Sequence, residues 1–241
     1  MTNTVQKKNT TNYVVVTIKD WNINEFDRVM PIFSGNWTLI KNNNQLSLEN
    51  LRRLKPKYVF FPHWSWIVAE DILNEFTCVC FHMTDVPYGR GGSPLQNLIS
   101  LGHKETKLTA LKMTNQLDAG AIYLKAPLSL QGSAQEIFER SAQLTFEMIQ
   151  SIITLEPIPI EQTGEVTTFF RRRPEQSRVQ GNETLAELYD LIRMMDADSY
   201  PKAFLHHGDL TLTFEQAKLS ELDASQEHTI NAHVIIKTRK K

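Results

Sequence analysis

Four short apolar runs punctuate the first third of the chain: Tyr13-Val14-Val15-Val16-Thr17-Ile18, Trp37-Thr38-Leu39-Ile40, Tyr58-Val59-Phe60-Phe61 and Cys78-Val79-Cys80-Phe81. Apolar residues on consecutive positions, rich in β-branched and aromatic types, suit strands covered on both faces. The segments between them carry a different period. Asn24 to Phe33 has an i, i+3, i+4 stripe at Phe26, Val29 and Met30; Ser47 opens the run Ser-Leu-Glu-Asn-Leu-Arg-Arg-Leu; Ala69 to Phe76 reads as a third helix. Strands alternating with helices at this spacing predict a parallel sheet flanked by helices.

The pattern continues and then changes. A helix is expected over Pro94 to Leu101, with proline at its first position, and strands over Leu108 to Met113 and Ile122 to Leu130. Ser133 to Leu155 gives the longest helix, with Ser133 and Glu136 spaced as a capping box. Pro157-Ile158-Pro159 then breaks the periodicity. From Phe169 onward come a basic run, one more helix near Thr184 to Met195, and short alternating segments such as Leu210-Thr211-Leu212-Thr213-Phe214. The fold class expected is therefore α/β: a Rossmann-like, mostly parallel sheet flanked by helices, with a small C-terminal β-containing subdomain. The division expected is a core over residues 1–168, then a linker helix and small β subdomain over 169–241.

Composition narrows the function classes. Hydrophobic residues make up 41% of the 241 positions and charged ones 22%, which leaves enough apolar material for a core. Lys+Arg 26 against Asp+Glu 27 gives a net charge of -1, so the basic excess of a protein that wraps nucleic acid is missing. The two cysteines, Cys78 and Cys80, stand two apart on a strand and make no disulfide framework. No run of about 18 apolar residues exists, and the opening MTNTVQKKNTTN has no apolar leader segment. The expectation is a soluble cytoplasmic protein with no membrane partner.

The densest chemistry lies in Cys78 to Asn97, CVCFHMTDVPYGRGGSPLQN. A buried strand ends in His82, turns through Asp85-Val86-Pro87, passes a Gly89-Arg90-Gly91-Gly92 loop and enters a helix. In open α/β sheets the ligand crevice lies beyond the carboxyl ends of the strands; His82 stands at one such end and His63 at the end of the preceding strand. The glycine loop is not the dinucleotide fingerprint, which needs G-x-G-x-x-G after the first strand. Cys78, Cys80 and His82 alternate onto one strand face with His63 nearby, a zinc-like set. Side chains two apart on a strand lie about 7 Å from each other, however, and converge poorly on one ion, so no metal is expected.

The set Phe81-His82-Met83-Thr84-Asp85-Val86-Pro87-Tyr88-Gly89-Arg90-Gly91-Gly92-Ser93-Pro94, followed by Leu117-Asp118-Ala119-Gly120, resembles the formyltransferase family. That family includes methionyl-tRNA formyltransferase, glycinamide ribonucleotide formyltransferase and the sugar N-formyltransferases. Its pattern is Asn-x-His, a Leu-Pro, an Arg-Gly loop and, further on, Leu-Asp-x-Gly. The likeness covers about residues 13 to 175, where Phe170-Arg171-Arg172-Arg173-Pro174-Glu175 is similar to the segment closing the family's core. The resemblance implies transfer of a formyl group from 10-formyltetrahydrofolate to a primary amine. It implies His82 as base or proton relay and Asp118 as the carboxylate orienting it. Asp85, Val86, Pro87, Tyr88, Met113, Leu117 and Asp118 would contact the folate, and Gly89, Arg90, Gly91, Gly92 and Asn97 the acceptor. The family's asparagine falls at Cys80, and a thiol is a poor donor to a developing oxyanion. His63 is the substitute expected, with Asn97 as a second.

Which amine is formylated is a separate matter. The layout of Phe-Arg-Arg-Arg-Pro-Glu, an Ile-Arg-Met-Met helix and Tyr200-Pro201-Lys202-Ala203-Phe204 leading into a β unit is most similar to the sugar N-formyltransferases. This implies a nucleotide-linked amino sugar as small-molecule partner, for surface glycan synthesis, and no nucleic acid. A methionyl-tRNA formyltransferase-like enzyme and a non-catalytic folate- or nucleotide-sugar-binding protein stay open as alternatives, as does a homodimer. Hydrolytic deformylation of the same folate is a further reading.

Overall fold

The computed structural model describes residues 10–220 and 228–239. The first nine residues of the polar N-terminal stretch, and Lys240 and Lys241, lie outside them. The elements run β1 (Asn12–Val16), α1 (Asp20–Val29), β2 (Asn36–Ile40), α2 (Leu48–Leu54), β3 (Tyr58–Pro62), α3 (Glu70–Glu75), β4 (Cys78–His82), β5 (Arg90–Gly91), α4 (Pro94–Ser100), β6 (Glu105–Lys112), β7 (Ile122–Ser129), α5 (Ala134–Leu155), β8 (Thr168–Phe169), α6 (Leu185–Met195), β9 (Ala203–His207), β10 (Leu210–Leu219) and β11 (Ile230–Thr238). They form two compact units, each built from several stretches of chain: Met1–Arg90, Lys107–Pro127 and Glu139–Thr167 in the first; Gly91–Thr106, Leu128–Phe138 and Thr168–Lys241 in the second.

The first unit is the sheet, ordered β2-β1-β3-β4-β6-β7. Pairs β1–β2, β1–β3 and β3–β4 are parallel, and β4–β6 is antiparallel. Alternation explains the continuous apolar runs, because successive side chains leave opposite faces and both faces are covered. Val14, Val16, Val59, Phe61 and Cys78 pack with Leu51 of α2 and Ile72 of α3 into one buried cluster. The other positions of the same strands hold Val15, Val79 and a set of aromatic side chains: Tyr13 stacks on Trp37 at 4.6 Å, and Phe60 touches Trp37, Tyr58 and Phe81. Each such side chain contributes about 1.5–3 kcal/mol on burial. The helix expected from Asn24 begins earlier, at Asp20, and ends at Val29 with Met30 as its C-cap. Pro31, which has no N–H to donate, follows directly.

In the second unit α6 starts with a capping box, Thr184 accepting from Glu187 N–H while the Glu187 carboxylate takes the Thr184 N–H. Arg193 of α6 is buried, donating from Nε to Asp190 at 2.6 Å and from Nη1 to the carbonyls of Leu130 and Gly132 at 2.6 and 2.9 Å. A three-stranded antiparallel sheet, β11-β10-β9, completes it. The alternating run seen near Leu210 is the start of a ten-residue strand. Its partner β11 had no counterpart among the segments singled out above. Among the described residues no helix is long and apolar enough to cross a membrane.

Candidate active site

β4 delivers His82 to its carboxyl end, where the ring is buried. The Nε2 of His82 lies 2.8 Å from the carbonyl oxygen of Gly89, so its N–H donates there, and Thr84 Oγ1 donates to the same carbonyl at 3.3 Å. Nδ1 then faces Asp118, 3.5 Å from Oδ2, with both side chains about nine-tenths buried. The hydrogen bond to Gly89 thus assigns the tautomer: in the neutral ring Nε2 carries the proton and Nδ1 the lone pair, on the side of the Asp118 carboxylate.

Asp118 sits in the left-handed region at φ 51, a conformation aspartate tolerates better than most residues. Two residues on, a Cβ on Gly120 would lie 1.8 Å from the Lys112 carbonyl oxygen. Only glycine lets this loop press onto β6 so closely. The loop is tied from the other side by Gln162, whose Nε2 donates to the carbonyls of Asp118 and Gly120, both at 2.8 Å. The Gln162 Oε1 in turn accepts from Arg90 Nε and Nη2 at 3.1 and 2.8 Å.

The turn after His82 is held just as firmly. The Val86–Pro87 peptide is cis. Asp85 is paired with Lys107 at 2.8 Å and with Lys125, which also donates to the Val86 carbonyl. Burial works against charge on Asp85, but the two lysines outweigh it and hold its carboxyl below the ordinary range. Thr167 clamps the loop three times: its Oγ1 accepts from Gly89 N–H, its N–H donates to Pro87, and its carbonyl accepts from Arg90 N–H. Tyr88 closes the turn with an N–H to the Asp85 carbonyl. A cleft of about 440 Å³ adjoins the turn, lined by Val86, Tyr123, Lys125, Ile160 and Glu161 among others. His82 and Asp118 are not in its lining.

The remaining candidates take separate places. His63, at φ 52 directly after β3, rests its ring against Trp21 at 5.3 Å between centroids. Burial, helped by Lys19, pushes its imidazole down to about 3, so it is neutral at physiological pH. Burial raises the Cys80 thiol strongly, with Asp118's charge adding to the effect, and pushes Cys78 up to about 12. Both are protonated thiols at neutral pH. Met113 is partly buried against the core, its N–H on the Cys78 carbonyl, whereas Leu117 is exposed. In the second unit the N–H of Gly92 donates to the Phe169 carbonyl, and Asn97 Nδ2 donates to the carbonyls of Gly92, Ser93 and Phe170. Among the described residues no three His, Cys, Asp or Glu side chains gather as a metal site. Gln162, Thr167, Lys107 and Lys125 were not singled out from the sequence; each acts through a long-range contact that no local spacing announces.

Comparison with known proteins adds four findings. Residues 174–237 match the family model described as the methionyl-tRNA formyltransferase C-terminal domain. A solved structure titled methionyl-tRNA formyltransferase, from Clostridium thermocellum, is 42% identical and superposes with a TM-score of 0.89, covering 95% of this chain and all of that one. The methionyl-tRNA formyltransferase of Clostridium perfringens is 24% identical over 194 residues, 77% of this chain but only 62% of its own length. A sugar N-formyltransferase from Shewanella shares the fold at 14% identity, TM-score 0.65, covering 83% of this chain and 94% of that one.

Proposed function

The chain belongs to the formyltransferase family, and from that premise we propose that it is an N-formyltransferase acting from 10-formyltetrahydrofolate on the primary amine of a nucleotide-linked amino sugar. The observation that carries the proposal is the buried His82–Asp118 pair, with Nε2 committed to Gly89 and Nδ1 beside the carboxylate. The Asp85–Tyr88 turn, with Met113 and Leu117, would hold the folate. Its rigid backbone, flanked by the half-buried Met113 and the exposed Leu117, suits a flat heterocycle rimmed with donors and acceptors. When bound, the folate supplies a formyl carbon on N10. The chain's own residues do the rest. The attacking amine must shed a proton, and His82 Nδ1 takes it and returns it to N10 as the bond between N10 and the formyl carbon breaks and tetrahydrofolate leaves, an effect worth about 10²–10⁴-fold. Asp118 orients the ring and stabilises the imidazolium so formed. Negative charge developing on the formyl oxygen needs a donor, worth about 10²–10³-fold. The neutral N–H of His63, directly after the strand that pairs with β4, is the group assigned to it, since Cys80 is a weak donor and both ring nitrogens of His82 are committed.

A second acceptor, methionyl-tRNA, is favoured by the 42% identical relative and by the C-terminal family model. The charge balance of 26 against 27 supports a small molecule instead. The test is direct: the protein is incubated with 10-formyltetrahydrofolate and either a panel of nucleotide-linked amino sugars or methionyl-tRNA, and tetrahydrofolate release is followed. Turnover with an amino sugar is expected. Release with methionyl-tRNA alone moves the assignment to the second acceptor, and folate binding without release to any amine overturns catalysis.

A further inference from the structure

A buried and a half-buried arginine in the second unit are treated differently, and the difference points to a ligand. Arg193 is paired with a carboxylate through Nε and with two carbonyls through Nη1. Arg172 is half-buried, yet only its Nη2 is engaged, on the Gln176 carbonyl at 2.7 Å. Its Nε is shielded from solvent with no hydrogen-bond partner, and so is the Oγ of the fully buried Ser177, one residue after Gln176. Among the described residues no Asp or Glu forms an ion pair with Arg171, Arg172 or Arg173. Burial accordingly lowers the proton affinity of the Arg172 guanidinium with nothing to compensate. A guanidinium taken out of water without a counter-charge is costly unless an anion answers it.

The segment is fixed rather than a loose solvated linker. A Cβ on Gly92 would stand 2.7 Å from the Arg171 Cβ and 2.8 Å from its Cα, so the backbones meet at a distance only glycine permits. The N–H of Arg172 donates to Ser93 Oγ at 3.0 Å, and Asn97 binds the Phe170 carbonyl just upstream. Three successive arginines, the outer two exposed, therefore sit on a preorganised strap. Planar guanidinium groups match phosphoryl oxygens in a bidentate fashion. We propose that the Arg171–Arg173 strap, with Arg172 at its centre, is a phosphoryl-binding site that takes the diphosphate of the acceptor nucleotide. This rests on the amino-sugar reading for the identity of the acceptor, but not for the existence of the site.

The experiment is calorimetric titration of the full chain with inorganic pyrophosphate, with uridine diphosphate and with a short RNA hairpin, in wild type, Arg172→Gln and Arg172→Lys. Pyrophosphate and the nucleotide should bind wild type, at least tenfold more weakly in Arg172→Gln and several-fold more weakly in Arg172→Lys. Arg172→Gln should melt at or above the wild-type temperature, because a merely structural arginine would lower it. With an amino-sugar acceptor the loss should fall on the acceptor KM rather than on kcat, with the folate KM unmoved. If pyrophosphate binding is lost on substitution while no amino sugar is formylated, the site stands and the acceptor assignment fails. Equal pyrophosphate affinity in wild type and a folded Arg172→Gln overturns the site. So does Arg172-dependent binding of the hairpin without binding of pyrophosphate or nucleotide. If Arg172→Gln does not fold, the Arg172→Lys titration decides alone.

Discussion

Because the Nε2–H of His82 is taken by the Gly89 carbonyl at 2.8 Å, the ring presents Nδ1, not Nε2, to Asp118, and in the mechanism proposed above it is Nδ1 that takes the proton of the amine. In that mechanism the carboxylate acts through the imidazole it faces. His82→Ala and Asp118→Ala should each lower kcat/KM at least 10²-fold while folate affinity, followed by fluorescence titration, changes less than about threefold. The double variant should be little worse than His82→Ala, since groups that work as a unit are far from additive. A double loss equal to the product of the single losses would give Asp118 a separate task. Retention of near-wild-type turnover in His82→Ala would falsify the role assigned to it.

At the scale of elements the segment between α5 and β8 does more than its sequence suggests. Pro157-Ile158-Pro159 reads as a break, yet Ile160 pairs with Ile122 at the start of β7, and Gln162 and Thr167 bind the two loops that carry Asp118 and Gly89. Gln162→Leu should lower kcat about tenfold with a small change in folate KM, because it frees Asp118 from its position without touching the chemistry. A matching loss in Gln162→Glu, which keeps the acceptor for Arg90 but not the donor, would confirm that the amide N–H is the part that matters. The loop after β3 makes a different prediction. An imidazole pushed down from 6.5 to about 3 takes its proton in the unfolded chain before it does so in the folded one. Stability should therefore fall as pH drops from 6.5 toward 3. Full exclusion of water would make the loss between pH 7 and 5 about 2 kcal/mol; His63 is partly exposed, so about 1 kcal/mol is expected. In His63→Asn, which the φ of 52 accepts, the urea midpoint should lose correspondingly less over that range. The strands were legible because β-branched and aromatic runs have few alternatives, and the His82 and Asp118 positions because a motif fixes their spacing. Gln162 and Arg172 were not. A lone amide in a proline-broken stretch and an arginine in a basic run look like solvated residues until tertiary contacts bury them.

For the whole molecule, the interleaving of the two units governs what can be removed. Gly91–Thr106 and Leu128–Phe138 belong to the same unit as Thr168–Lys241. Within it Gln96 donates to the Met194 carbonyl, and the carbonyls of Leu130 and Gly132 are met by Arg193. A chain ending at 168 would leave these buried groups unanswered, at about 1–3 kcal/mol each. It should lose its cooperative melting transition, seen by circular dichroism. The distribution of charge sets the last expectation. With 26 basic and 27 acidic residues the chain offers no net field to a polyanion, and its basic strap is three residues long. Binding that neutralises phosphates releases counterions, so affinity falls with salt in proportion to the phosphates engaged. A diphosphate offers about two. Raising sodium chloride from 50 to 200 mM should therefore raise the acceptor KM by about tenfold, whereas six or more backbone phosphates would cost about 10³-fold over the same range. Initial rates at four salt concentrations, with folate saturating, give the slope. A loss of the larger size would mean that the acceptor is a nucleic acid and that the strap reads its backbone.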